Sequence, residues 1–237
     1  MTIYLPQLSD DPRLFPAIED ALNDPDGLLA MGGDLSPTRI KNAYYNGIFP
    51  WFSEGDPLLW WSPSERALIE AGQVHISKSM KRVIVKTNMT ISLNQCFSRV
   101  INACSQPRAS QAETWITTEM MDAYNALHRL GVAHSIEVWS GNKLVGGLYG
   151  ICIGQLFCGE SMFSLIDNSS KLAFIALNQH FKLAGGKVID CQMQTNHLKS
   201  LGVKALPRAD FITNLQATRD KPLKENCWYK QSIVINT

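Results

Sequence analysis

AHSIEVWSGNKLVGGLYGICIGQLFCGESMF, from Ala133 to Phe163, is the stretch that decides the fold. Three runs rich in apolar, β-branched and aromatic residues, Ala133 to Trp139, Lys143 to Ile153 and Gln155 to Phe163, are separated only by Gly141-Asn142 and Gly154. Turns this tight, built around glycine and asparagine, join antiparallel neighbours. The stretch predicts a three-stranded antiparallel meander.

On the upstream side, Leu93, Cys96, Phe97, Val100, Ile101 and Cys104 recur at helical spacing. Met120, Ala123, Tyr124 and Leu127 do the same, with Thr117 placed to cap and Gly131 to stop the helix. Downstream, the spacing predicts a helix from Ser169 to Ala184 ending at Gly185-Gly186, then a strand from Lys187 to Met193. A short helix ending at Gly202 and a strand near Val203 to Leu206 complete the order. That order resembles the acyltransferase fold of the N-acetyltransferase superfamily, which implies an α+β domain with a mostly antiparallel mixed sheet flanked by helices. Acetyl-CoA members of that superfamily cradle pyrophosphate on a glycine-rich turn between the fourth strand and the next helix. The corresponding junction here, SMFSLIDNSSKLA from Ser161 to Ala173, contains no glycine, which disfavours a CoA donor.

Residues 1–64 have a different texture, dense in Pro, Gly and Asp, with one convincing helix in DLSPTRIKNAYYNG. Ser36 caps it, Pro37 sits at its first position, Ile40, Ala43 and Tyr44 share a face, and Gly47 stops it. The segment is too short to fold comfortably alone. It is expected to be a small accessory domain packed on a larger domain spanning 65–237. Over the whole 237-residue chain the formal net charge is only +1, so any nucleic-acid binding must rest on a local patch. The six cysteines show no metal-ligand or disulfide-framework spacing, and no apolar run approaches the length of a bilayer span. Composition therefore predicts a cytoplasmic protein with reduced thiols, no metal and no membrane segment.

Four places carry candidate chemistry. FPWFSEGDPLLWWSP, Phe49 to Pro63, sets three tryptophans and two phenylalanines on a turn-rich frame, as a small aromatic core, a stacking surface for a base, or both. In HISKSMKRVIVK, Lys78, Lys81 and Arg82 stand at i, i+3 and i+4, as a solvated basic face or a phosphate clamp. Glu160 follows Gly159 in an otherwise apolar strand, and Asp190 lies in another with Gln192 two residues on. Two acids in apolar strands are either strand-end residues or the walls of one polar pocket suited to an amine. Cys158, with His197 and Asn196 as imaginable partners, is a weak candidate thiol nucleophile, since no cysteine-hydrolase signature surrounds it.

Taken in order, DGLLAMGGDLSP, AYYNGIFPWFSEGDPLLWWSP, HISKSMKR, TWIT, GLYG, LFCGESMFS, IDCQ and NHLKSLG resemble the leucyl/phenylalanyl-tRNA–protein transferase family across nearly the whole chain. The resemblance implies a cytoplasmic, monomeric enzyme without a cofactor. Its donors would be leucyl- or phenylalanyl-tRNA, and methionine is a further possibility for the transferred residue. Its acceptors would be proteins beginning with Arg or Lys, which thereby gain an N-terminal degradation signal. By position, Trp51 and Trp115 match residues that hold the terminal adenosine, and Lys78, Lys81 and Arg82 match the patch for the acceptor stem. Phe157 matches the pocket for the amino-acid side chain, with Gly159 counted among the substrate-binding residues. Asp190, Gln192 and Glu160 match the catalytic or substrate-aligning set. Leu148 and Leu177 stand where methionine and phenylalanine are expected around that pocket, keeping it apolar while leaving the Leu/Phe/Met preference open. The alternatives are a CoA-dependent N-acetyltransferase and an RNA-binding module without catalysis.

Overall fold

The computed structural model describes residues 4–107 and 114–236. In the N-terminal part, strand β1 (Leu28–Met31) precedes helix α1 (Pro37–Tyr45), followed by strands β2 (Phe49–Pro50) and β3 (Leu59–Trp61). These strands form a small antiparallel sheet in the order β1-β3-β2. α1 starts as its sequence predicts: Ser36 accepts the Arg39 N–H, Pro37 occupies the first turn, and Ile40, Ala43 and Tyr44 are buried.

The larger part contains β4 (Glu65–Glu70), α2 (Lys78–Lys86), β5 (Thr90–Leu93), α3 (Phe97–Ser105) and α4 (Thr118–Arg129). The predicted meander follows as β6 (Ala133–Ser140), β7 (Lys143–Ile153) and β8 (Leu156–Ser164). The chain continues through α5 (Ser169–Leu183), β9 (Val188–Asp190), α6 (Asn196–Ser200), β10 (Lys204–Pro207), α7 (Arg208–Thr218) and β11 (Gln231–Ile233). One eight-stranded sheet runs β10-β4-β9-β8-β7-β6-β5-β11, in which only β8 and β9 pair parallel. This is an α+β fold with a mixed, mostly antiparallel sheet.

Both faces of the sheet are covered, so the central strand β7 is apolar almost throughout. On one face Tyr149, Ile151 and Cys158 join Phe97, Val100, Met120 and Tyr124 from α3 and α4 in a core that extends to Ile40, Tyr44 and Trp60 of the N-terminal part. On the other, Leu148 and Phe157 pack with Leu172, Phe174, Leu177 and Phe181 of α5. No helix among the described residues is long and apolar enough to cross a membrane.

The elements differ from their predicted form in three ways. α3 begins only at Phe97: Leu93, expected at helical spacing with Phe97 and Val100, ends β5 instead, and Cys96 is the N-cap, since Asn94 takes a left-handed backbone (φ +55°) between strand and helix. β9 ends at Asp190 rather than Met193, because Gln192 takes a left-handed backbone (φ +54°) that no strand accommodates. In the larger part β4, β5, α7 and β11 have no counterpart in the predicted order: β4 is a single six-residue run without a hairpin partner next to it in sequence, pairing instead with β9 and β10, and β5 and β11 are short runs that pair with each other across most of the domain's sequence.

Candidate functional site

Where β8 pairs with β7, Tyr149 opposes Ser161 and Gly150 opposes Gly159, so Glu160 is the extra residue of a β-bulge. A bulge turns its side chain out of the regular alternation. Glu160 is thereby aimed at α4, where Oε2 accepts the Tyr124 hydroxyl at 2.9 Å, and that hydroxyl lies 2.7 Å from the Tyr44 hydroxyl of α1. Its other oxygen, Oε1, accepts Gln192 Nε2 at 3.0 Å. Burial raises the Glu160 carboxyl to about 7, with the charge of Asp190 adding to the rise. The Tyr44 and Tyr124 hydroxyls and the Arg66 charge pull it down.

Gln192 is the centre of a three-residue turn closed by Met193 N–H to Cys191 O at 2.7 Å, a strained geometry rarely adopted by residues with side chains. Its N–H donates to Asp190 Oδ1 at 2.9 Å and its carbonyl accepts the Ala67 N–H at 3.0 Å. Asp190 itself is fully buried and does not line the cavity beside Glu160 and Gln192. Both its oxygens are held by the equally buried Arg66, Nε to Oδ1 at 3.0 Å and Nη2 to Oδ2 at 2.7 Å. Burial works against the Arg66 charge, but the Asp190 carboxylate outweighs it and holds the guanidinium above its ordinary pKa.

Beside Glu160 and Gln192 opens a cavity of about 350 Å³. Its deep wall is apolar, with Leu148, Met162, Phe174 and Leu177, and Trp51 and Trp115 stand at its rim. Gly159 lines it as well. The aromatic turn is divided: Trp60 is fully buried with Nε1 on Gly32 O, and Phe49 and Phe52 are buried too, whereas Trp51 is 39% exposed. Trp61 meets Trp51 edge to face at 5.4 Å and donates Nε1 to its carbonyl at 2.7 Å, which braces the exposed ring. The sequence allowed a core or a stacking surface, and this segment is built as both a core and an exposed ring.

Nine of the twelve site residues implied by the family resemblance thus take distinct places. Glu160, Gln192, Gly159, Leu148, Leu177, Trp51 and Trp115 line the cavity, while Asp190 stands behind Gln192. Phe157, expected in the side-chain pocket, is one layer further in: fully buried, absent from the lining, its ring 5.5 Å from Trp228 and 6.1 Å from Phe181. The other three, Lys78, Lys81 and Arg82, are exposed on α2, outside the cavity and without an ion-pair partner among the described residues. Cys158 is buried, and burial pushes its thiol well above the usual range, so it is protonated and is no nucleophile. His197 lines the cavity, its pKa lowered by burial and then by Lys171.

Arg66 and Tyr124 escaped the sequence reading. The signal for Arg66 was present: an arginine inside ERALIE, an apolar strand, needs a partner. Tyr124 read only as part of the apolar face of its helix.

A family model described as leucyl/phenylalanyl-tRNA protein transferase matches residues 68–216, and one for the N-terminal domain of the same enzymes matches 33–64. A leucyl/phenylalanyl-tRNA–protein transferase of Psychromonas ingrahamii is 58% identical over 235 residues, 99% of each chain. Those of Aeromonas hydrophila subsp. hydrophila and Tolumonas auensis are 51% and 48% identical over 99% of this chain and 100% of their own.

Proposed function

The chain belongs to the leucyl/phenylalanyl-tRNA–protein transferase family, and from that premise we propose how its cavity carries out aminoacyl transfer. The protein is an aminoacyltransferase, and the transferred group is leucine or phenylalanine, carried on tRNA and passed to the α-amino group of a protein beginning with Arg or Lys. The observation that carries this reading is a side-chain amide and a carboxylate, Gln192 and Glu160, fixed to each other at the edge of an apolar cavity rimmed by an exposed tryptophan.

In the proposed arrangement the terminal adenosine stacks on Trp51 and Trp115, and the leucyl or phenylalanyl side chain enters the wall formed by Leu148, Met162, Phe174 and Leu177. The acceptor amine then attacks the ester carbonyl carbon. The C–N bond forms, the bond to the ribose oxygen breaks, and the proton lost from the amine ends on that oxygen. Gln192 Nε2 is committed to Glu160, which leaves its amide oxygen to accept an N–H of the attacking amine. Glu160, when ionised, favours the positive charge that develops on that nitrogen. Asp190 acts through Gln192, whose backbone it holds.

The ester is already activated, and an α-amino group with a pKa of about 7.7–8.0 is partly neutral near pH 7. Holding the two substrates together is therefore enough to supply most of the rate without a cofactor. Lys78, Lys81 and Arg82 hold tRNA phosphates. The division at residues 64 and 65 separates a part that supplies the Trp51 platform from one that supplies the carboxylate and amide. The enzyme is proposed to act as a cytoplasmic monomer.

The test is to incubate the purified protein with leucyl-tRNA and a peptide beginning with Arg and to weigh the peptide by mass spectrometry. One added leucyl residue is expected. Acetylation from acetyl-CoA, or tight RNA binding with no transfer, would overturn the reading.

A further inference from the structure

We infer that Arg66 is a positioning residue for the transfer, because its single guanidinium fixes the backbone that aims the Gln192 amide and ties it to the wall that carries Trp51. The inference rests on the aminoacyl-transfer reading above. It starts from Gln192, whose left-handed backbone persists only where its surroundings over-determine it. Those surroundings come from β4. Ala67 donates its N–H to Gln192 O and accepts the Cys191 N–H at 2.8 Å, gripping the turn on two sides. The third grip is Asp190 Oδ1 on the Gln192 N–H, and Arg66 decides where that oxygen sits.

Each of the three guanidinium nitrogens donates a hydrogen bond. Nε and Nη2 take the two oxygens of Asp190, and Nη1 donates to Gly47 O at 2.9 Å. Its Cζ lies over the rings of both Phe49 and Phe211, 4.8 and 4.4 Å from their centroids. Gly47 and Phe49 lead into Pro50 and Trp51, both in the cavity wall. One buried group thus sets the donor platform and the Gln192 amide relative to each other. A buried ion pair is weak evidence for stability, since apolar residues of like volume serve as well, whereas the forked geometry seen here serves orientation. A lysine ammonium keeps the charge but cannot bridge two carboxylate oxygens, a carbonyl and two ring faces at once.

Two variants test the inference. Arg66→Lys keeps the charge and loses the fork. Arg66→Met combined with Asp190→Asn removes both charges, so no carboxylate is stranded, and keeps a side-chain oxygen for the Gln192 N–H. With leucyl-tRNA and an Arg-starting peptide, and with folding checked by thermal melting, kcat is expected to fall at least about tenfold in both, while KM for donor and acceptor stays within about twofold. Wild-type kcat in either folded variant, or a loss confined to KM, would overturn the inference. Wild-type protein that transfers nothing would instead overturn the reaction assignment, so the two failures are distinguishable.

Discussion

Glu160 shows how environment outweighs residue type. In water its carboxyl is ionised well below neutrality, but burial raises it to about 7, even though Tyr44 and Tyr124 favour the charged form. The ionised form is the one that accepts Gln192 Nε2 and attracts a developing ammonium, so kcat/KM for transfer is expected to rise with pH through about 7. Tyr124→Phe removes a donor that lowers this pKa and should move the acid limb to higher pH, with Tyr44, Arg66 and Asp190 unchanged around it. A pH–rate profile identical to wild type would show that Glu160 does not titrate in the rate. The tryptophans offer a contrast at the same scale. Trp51→Ala should cost roughly 1–3 kcal/mol of donor binding with little loss of stability, since the ring is partly in solvent. Trp60→Ala should cost about 3–5 kcal/mol of stability, since that ring is wholly buried against Phe15. Titration of leucyl-adenosine and thermal melting separate the two.

Among the elements, β6 carries a second tuned group. His134 is stacked face to face on Trp228 at 4.0 Å, and Asn94 Nδ2 lies 3.1 Å from its Nδ1. Burial depresses its pKa from 6.5 to about 3, with His128 adding to the effect. The folded protein therefore binds fewer protons than the unfolded chain between those values, and the contribution of this histidine to stability is present above pH 6.5 and lost as pH falls toward about 3. Denaturant unfolding at pH 7, 5.5 and 4 should show that decline, and His134→Asn should flatten it. At Gly150, β7 has no room for a side chain against β8. A Cβ added at Gly150 would come 2.1 Å from Cys158 O and 2.6 Å from the Phe157 ring. Gly150→Ala should cost at least about 1–3 kcal/mol and loosen the bulge at Glu160.

For the whole molecule, a net charge of +1 hides an uneven surface. α2 presents Lys78, Lys81, Arg82 and Lys86 to solvent, with no acidic residue in its first turn. If these residues hold tRNA phosphates, neutralising Lys78, Lys81 and Arg82 together should weaken leucyl- and phenylalanyl-tRNA by similar factors. The slope of log affinity against log salt should also flatten by about 0.7–0.9 for each phosphate no longer neutralised. An unchanged slope in filter binding would mark the patch as an ordinary solvated face. The N-terminal part works at this scale as well: its buried residues continue into the core on the α3/α4 face, so the part bearing Trp51 shares a hydrophobic core with the sheet.

What the sequence determined by itself is what short-range physics controls. The meander follows from three strand-like apolar runs and two tight turns, α1 from Ser36 and Pro37, and α5 from its spacing and the glycines after it. Family membership was legible too, because its motifs are contiguous words such as FCGESMFS and IDCQ. Tertiary structure alone decided which groups meet. Arg66 and Asp190 stand 124 positions apart and touch because β4 and β9 are neighbours in the sheet, a pairing no local pattern encodes. The turn of Glu160 toward Tyr124 depends on a register shift against β7, and the inward place of Phe157 on which face of β8 meets α5. Each is settled only when the sheet closes, since a shift of one residue in register exchanges the two faces of a strand.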